Sequence, residues 1–199
     1  DAFRHIGLNS RYTNRALLGI GLTATNQGDF VGGLNALSIS KDKNTFDLSV
    51  DESYLLDPYV YEKLQQELTV TASYTEAMVY YQKRENDLDN ISNQHTPFTS
   101  ELYDATTASI VIKNNSLEYG KRYPESFIKN YQTLLDYSSL TNNLKLKNKL
   151  EALITKHDAV FQKIVGDLLA QRKDYLKSYL NQSRYGLARL YDKSNEAAN

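Results

Sequence analysis

The most regular pattern of apolar positions lies in the last third of the chain. Leu150, Ile154, His157, Phe161, Ile164, Leu168, Gln171, Tyr175, Ser178, Gln182 and Tyr185 follow one another in steps of four and three. That spacing is a heptad seam sustained over more than four heptads. A second stripe, Val165, Leu169, Leu176, Leu180 and Leu187, runs beside it, and no proline occurs after Pro124. The pattern predicts one amphipathic helix over about 140–192, roughly 75 Å long at 1.5 Å per residue. The seam turns polar after Leu168, so its far end is expected to pack less tightly or to meet a partner. A kinked core helix, bent at Gly166 or Gly186, is the plainer alternative.

Two earlier segments read as helix, turn, helix. In 14–40 (NRALLGIGLTATNQGDFVGGLNALSIS) the turn is Gln27-Gly28-Asp29-Phe30. Glycine there suits a left-handed helix end, and Asp29 can cap the helix that follows. In 58–84 (PYVYEKLQQELTVTASYTEAMVYYQKR) the turn is placed at Thr71-Ala72-Ser73-Tyr74, with Ser73 as N-cap. The stretch 41–52 between them is expected to be a loop. Residues 98–118 are predicted helical from Thr99 or Ser100. Ser109–Ile112 is β-branched enough for a strand, but a lone strand would lack a partner. A further helix starts at Pro124 and carries the stripe Phe127, Ile128, Tyr131, Leu134, Leu135. The expected fold is therefore all-α: helical hairpins over 1–95, then a helical region over 96–199 with the long helix paired as an antiparallel hairpin or coiled coil.

The first segment resembles the tetratricopeptide repeat. Ile20 and Gly21 stand at its Leu-Gly position, Ala24 follows, Gly28 and Phe30 match the turn, and Gly33 and Leu37 hold its small and large packing positions. In the second segment Leu64, Leu68, Tyr74, Ala77 and Tyr81 match, while Gln65 and Ala72 stand where glycine is expected. Small residues let two helix backbones approach closely, so Gly21 and Gly33 are expected at a helix–helix contact. The run ALLGIG…NQGDF…L followed by DESYLLDPYVYEKL is also similar to poorly characterised repeat proteins of the Gram-negative cell envelope, best over residues 9–90. Leu22 replaces their tryptophan, and no Pro-Trp follows Leu37.

The resemblance implies a scaffold with a concave groove. Arg15, Leu18, Leu22, Thr25 and Asn26 would line it from the first repeat, and Tyr59, Glu62, Gln66 and Thr69 from the second. Such grooves hold a peptide or a partner helix. Two repeats bury little by themselves. So the helices after 98 complete the stack, or the chain is a piece of a larger array, as its start at Asp1 without methionine also suggests.

Composition narrows the chemistry. There are 23 basic and 24 acidic residues, giving a net charge of −1 with no basic stripe, so nucleic acid is not an expected partner. The absence of cysteine removes disulfides, thiolate metal sites and a cysteine nucleophile. No apolar run reaches the ~20 residues of a membrane span. His5, His95 and His157 have no metal-ligand neighbour at HxxxH or HxxE spacing, and His157 reads as a core or interface residue. Asp87-x-Asp89 lacks the glycine and distal glutamate of a calcium loop. Gly19-x-Gly21 has no third glycine and no preceding strand, so it does not read as a dinucleotide site. Neither a phosphate-binding lysine motif nor a GxSxG elbow is present. No catalytic residue, metal or cofactor is expected.

The expected function is a non-catalytic scaffold or adaptor with protein partners. The expected location is the periplasm or cell envelope, with the cytoplasm as the alternative. Self-association through the long helix is a second expectation. A small-ligand pocket near Tyr59, Tyr61, Tyr80 and Tyr81 is a third.

Overall fold

A computed structural model describes residues 11–105, 107–119 and 125–197. The chain is mostly helical. The helices are α1 (Arg11–Asn26), α2 (Phe30–Lys41), α3 (Leu48–Lys63), α4 (Glu67–Ser92), α5 (Glu125–Leu140) and α6 (Leu144–Ala197). Strands β1 (Tyr103–Asp104), β2 (Ser109–Ile112) and β3 (Asn115–Glu118) form one antiparallel sheet in that order. The chain divides into two compact units, 1–88 with 172–199, and 89–171. His5 lies outside the described residues.

In the first unit, α1, α2 and α3 pack around Leu18, Leu37 and Val60, with Phe30, Leu34 and Leu56 against them. The α1–α2 turn behaves as its sequence suggests. Gly28 has φ +82°, and Gly28 N–H and Asp29 N–H donate back to the carbonyls of Thr25 (3.1 Å) and Ala24 (2.9 Å). That is the double bond of a Schellman cap. The Asp29 carboxylate then accepts from Gly32 N–H at 2.9 Å and starts α2. Gly21 and Gly33 do meet at the helix contact. A Cβ on Gly33 would sit 2.6 Å from Thr25 Oγ1 and 3.2 Å from the Gly21 carbonyl oxygen. Thr25 cannot yield, because its hydroxyl donates to that same carbonyl at 2.7 Å. Gly33→Ala is therefore expected to cost about 1–3 kcal/mol through overpacking. Thermal unfolding followed by circular dichroism checks this, and an unchanged midpoint would contradict it.

The second hairpin differs from its sequence reading. The stretch 41–52 is not simply a loop: α3 already begins at Leu48 and passes through Pro58. Its true start is Asp47, whose buried carboxylate accepts from Val50 N–H (3.0 Å) and from Asn14 Nδ2 (2.8 Å). The turn is not at Thr71–Tyr74 but at Leu64–Gln66, and Ser73 lies inside α4 rather than at an N-cap. Gln65 takes φ +57°, and Gln66 N–H reaches back to Tyr61 O at 3.2 Å. This is a second Schellman cap, with glutamine in the left-handed position that glycine usually takes.

The second unit holds the main correction to the all-α expectation. Residues 98–118 are not helical; they form a 3₁₀ turn (Ser100–Leu102) and the three strands. The strand at Ser109–Ile112 is not alone. Lys113 and Asn114, with φ +46° and +66°, reverse the chain in two residues and bring Asn115–Glu118 alongside, pairing Ile112 with Asn115 and Ser109 with Glu118. Two successive positive φ values match the twist of a tight hairpin. Asn115 Nδ2 donates to the carbonyls of Ile112 (3.1 Å) and Lys113 (3.0 Å) and fastens the turn.

In the same unit, α5 and residues 144–171 of α6 are joined through Tyr131–Asp158 and Phe127–His157. Phe98 stacks on Tyr131 at 4.3 Å and meets the edge of Phe161 at 5.1 Å. His157 lies half-buried with its ring stacked on Phe127 at 5.4 Å, and its Nδ1 is 2.9 Å from the Leu153 carbonyl, which it can only approach as a donor. Gln162 clasps Thr96, accepting from its N–H at 3.1 Å and donating to its carbonyl at 2.6 Å. Asp158 accepts from His95 Nε2 at 3.0 Å and from the Tyr131 hydroxyl at 3.2 Å. Partial burial works to raise the Asp158 pKa, but the bonds from His95, Gln162 and Tyr131 outweigh it and hold the carboxyl below its ordinary range.

The long helix is continuous through Gly166 and Gly186. Its buried face, however, changes stripe. Phe161, Ile164 and Leu168 of the heptad seam are buried, but beyond them Gln171, Tyr175, Ser178, Gln182 and Tyr185 are exposed. The buried positions there are Arg172, Leu176, Tyr179, Leu180 and Ser183. Arg172 can take a core position because Asp51, itself fully buried, receives its Nε–H at 2.9 Å. Its Nη2 lies 2.8 Å from the same oxygen, off the hydrogen-bonding line, as an ion-pair contact. Tyr80 donates to the other Asp51 oxygen at 2.6 Å, and Tyr81 to the Asp51 carbonyl at 2.7 Å.

Candidate functional site

Along α3, Leu55, Tyr59 and Glu62 stand at i, i+4 and i+7, on one face. Along α6, Ser178, Gln182, Tyr185 and Arg189 do the same over three turns. These two faces and Tyr74 of α4 line an open cleft of about 580 Å³ within the first unit, with Asn181 and Gly186 completing it. The α6 residues are the polar continuation of the heptad seam. They stay out of the core because the neighbouring stripe, through Arg172, Leu176 and Leu180, is the one buried.

Glu62 organises the floor. It accepts from the Tyr74 hydroxyl at 2.9 Å and is ion-paired to the Arg189 guanidinium. Burial, then the hydrogen bond to Glu62, pushes the Tyr74 phenol up to about 12, so it stays a neutral donor near pH 7. Gly186 makes this possible: a Cβ there would come within 2.3 Å of a Tyr74 ring carbon. The walls are softer. Tyr59 and Tyr185 are 43% and 73% exposed, so part of the first ring and most of the second are offered to a ligand. Asn181 and Gln182 add amide donors and acceptors. Such a surface can stack, bury apolar side chains and pair with backbone amides.

The sequence-predicted groove is only partly assembled here. Tyr59 lines the cleft, and Glu62 holds its floor through Tyr74 and Arg189. Leu18 is a core residue, and Thr25 is buried with its hydroxyl on Gly21, so neither offers surface. Arg15, Leu22 and Asn26 are exposed on α1 and do not line the cleft. Gln66 is exposed at the α3–α4 turn, and Thr69 is half-buried on α4. The tyrosine cluster divides as well. Tyr80 stacks on Tyr54 at 3.6 Å, and Tyr80 and Tyr81 commit their hydroxyls to Asp51, so these two are structural. Sequence reasoning missed Tyr74, Asn181 and Arg189. The signal for Arg189 is its i+7 spacing from Gln182, one step beyond the end of the apolar seam at Tyr185.

Among the described residues, no group of three or more His, Asp or Glu side chains is placed to hold a metal ion, and no helix is long and apolar enough to cross a membrane. Compared with family models, with characterised proteins and with solved structures, the chain gives no match in any of the three.

Proposed function

We propose that this protein is a non-catalytic interaction module that holds an extended peptide segment of a partner protein in the α3–α4–α6 cleft. The observation that carries this reading is the pair of exposed rings, Tyr59 and Tyr185, standing over a floor whose charges already satisfy one another. Exposed aromatics on rigid helices are the usual energetic anchors of protein recognition. Among the lining residues only Ser178 carries an aliphatic hydroxyl, and none of the others is a histidine or a lysine that could act as its base. The partner would read as apolar side chains spaced along a backbone that pairs with Asn181 and Gln182. We assign the module to a scaffold of the Gram-negative cell envelope on the resemblance of residues 9–90.

Panning random displayed peptides on the full chain tests this reading. A consensus with aromatic or aliphatic anchors is expected. Tyr59→Ala and Tyr185→Ala should each weaken the selected peptide by roughly 30-fold, about 2 kcal/mol. Both rings are surface groups, so circular dichroism should stay unchanged. Peptides that bind the wild type and the double variant alike would refute the cleft as the site.

A further inference from the structure

Beside the other helical turns a single apolar side chain is exposed, Val31 (66%) after the α1–α2 turn and Leu68 (89%) after the α3–α4 turn, and neither stands in a run of lysines. By contrast, α5 ends on Leu140 and α6 starts on Leu144, with only Thr141, Asn142 and Asn143 between. Leu140 and Leu144 are 77% and 72% exposed, and Leu146 is 46% exposed. Lys145, Lys147 and Lys149 alternate with these leucines, and all three are exposed. Lys156 follows, and Glu151 is the only acidic residue from 140 to 156. A chain of net charge −1 thus concentrates positive charge at one apex.

The apex is built, not frayed. Asn143 Oδ1 accepts from Leu146 N–H at 3.1 Å as the N-cap of α6, and Asn143 N–H donates to Thr141 Oγ1 at 3.2 Å. The two legs are bonded at Tyr131 and Asp158. From Tyr131 to Leu140 the α5 leg extends roughly 14 Å at 1.5 Å per residue. The leucines are therefore presented at a fixed end, and burying none of them stabilises the hairpin itself.

Their arrangement chooses the occupant. Leu144 and Leu146 are two residues apart, about 200° around α6 at 100° per residue. Leu140 stands on the other leg. A partner helix lying along α6 covers one side and leaves the others in water. A planar interface met by the apex covers all three together. Lysine stems can lie along that interface while their ammonium groups reach lipid headgroups. We propose that the α5–α6 apex docks on an anionic bilayer surface, with Leu140, Leu144 and Leu146 entering the headgroup layer and Lys145, Lys147 and Lys149 meeting negatively charged lipids. This is surface binding, not spanning.

The full chain can be tested by co-sedimentation with phosphatidylcholine vesicles, with and without phosphatidylserine. Binding is expected only when phosphatidylserine is present and should fall as salt is raised. Each lysine near such a surface strengthens binding about fivefold, so Lys145→Glu, Lys147→Glu and Lys149→Glu together should weaken it by at least about 100-fold. Leu140→Ser with Leu144→Ser should weaken it at unchanged charge. All five positions are exposed, and circular dichroism confirms that the helices persist. The chain has no tryptophan, so Leu144→Trp supplies a single reporter whose emission should shift to the blue on vesicles. Equal sedimentation with both vesicle types, or emission that vesicles leave unmoved, would overturn the proposal. So would binding to soluble polyglutamate that matches or exceeds binding to vesicles, which would make the apex a site for an acidic protein.

Discussion

Arg172→Met is expected to destabilise the first unit by about 3–5 kcal/mol. The reason is what it leaves behind. Asp51 is fully buried, and its carboxylate is met by Arg172 from α6 and by the Tyr80 hydroxyl. Methionine fills much of the arginine's volume, so little of the loss is cavity. The loss is an uncompensated buried charge, which has no water to turn to. One control separates this from a packing effect. Asp51→Asn in the Arg172→Met background removes the charge while keeping an acceptor for Tyr80, and should recover part of the stability. Urea titrations of the single and double variants measure the difference. A double variant no better than the single would show that Arg172 acts by shape alone.

Phe161→Ala is expected to cost a comparable amount, about 3–5 kcal/mol, in the second unit. Phe161 is fully buried and takes the edge contact from Phe98 while meeting Tyr131 at 6.2 Å. Removing the ring opens a cavity that neither neighbour can fill. Phe98 is stacked on Tyr131, and Tyr131 is tied to Asp158, so both are held in place. The site therefore cannot collapse, which puts the cost at the upper end for such a truncation. Amide hydrogen exchange gives the local readout. Protection at Ile110 and Ile112 of β2 should fall with that of α5, whereas Leu37 and Val60 in the first unit should keep theirs. Loss of protection in both units alike would show that they unfold as one.

Some of this protein was determined by the sequence alone. The α1–α2 turn followed from local chemistry: glycine at the left-handed position and aspartate as the next cap, each satisfied within five residues. The long helix followed from a periodicity too extended to be accidental and from the lack of proline. Even the cleft is partly visible in the sequence, since Ser178, Gln182 and Tyr185 are the polar tail of the heptad seam. What no local pattern could settle was which stripe of that helix is buried. Arg172 reads as a surface residue until Asp51, 121 positions away, is set beside it. Only then does the stripe through Leu176 and Leu180 become the core, turning the seam's tail outward. The β-hairpin failed for the same kind of reason. Ser109–Ile112 has strand chemistry, but a strand is stable only when paired, and its partner depended on Lys113 and Asn114 both taking positive φ. Local sequence sets caps, turns and period; burial of a charge and pairing of a strand are bargains between distant segments, and only the tertiary structure decides them.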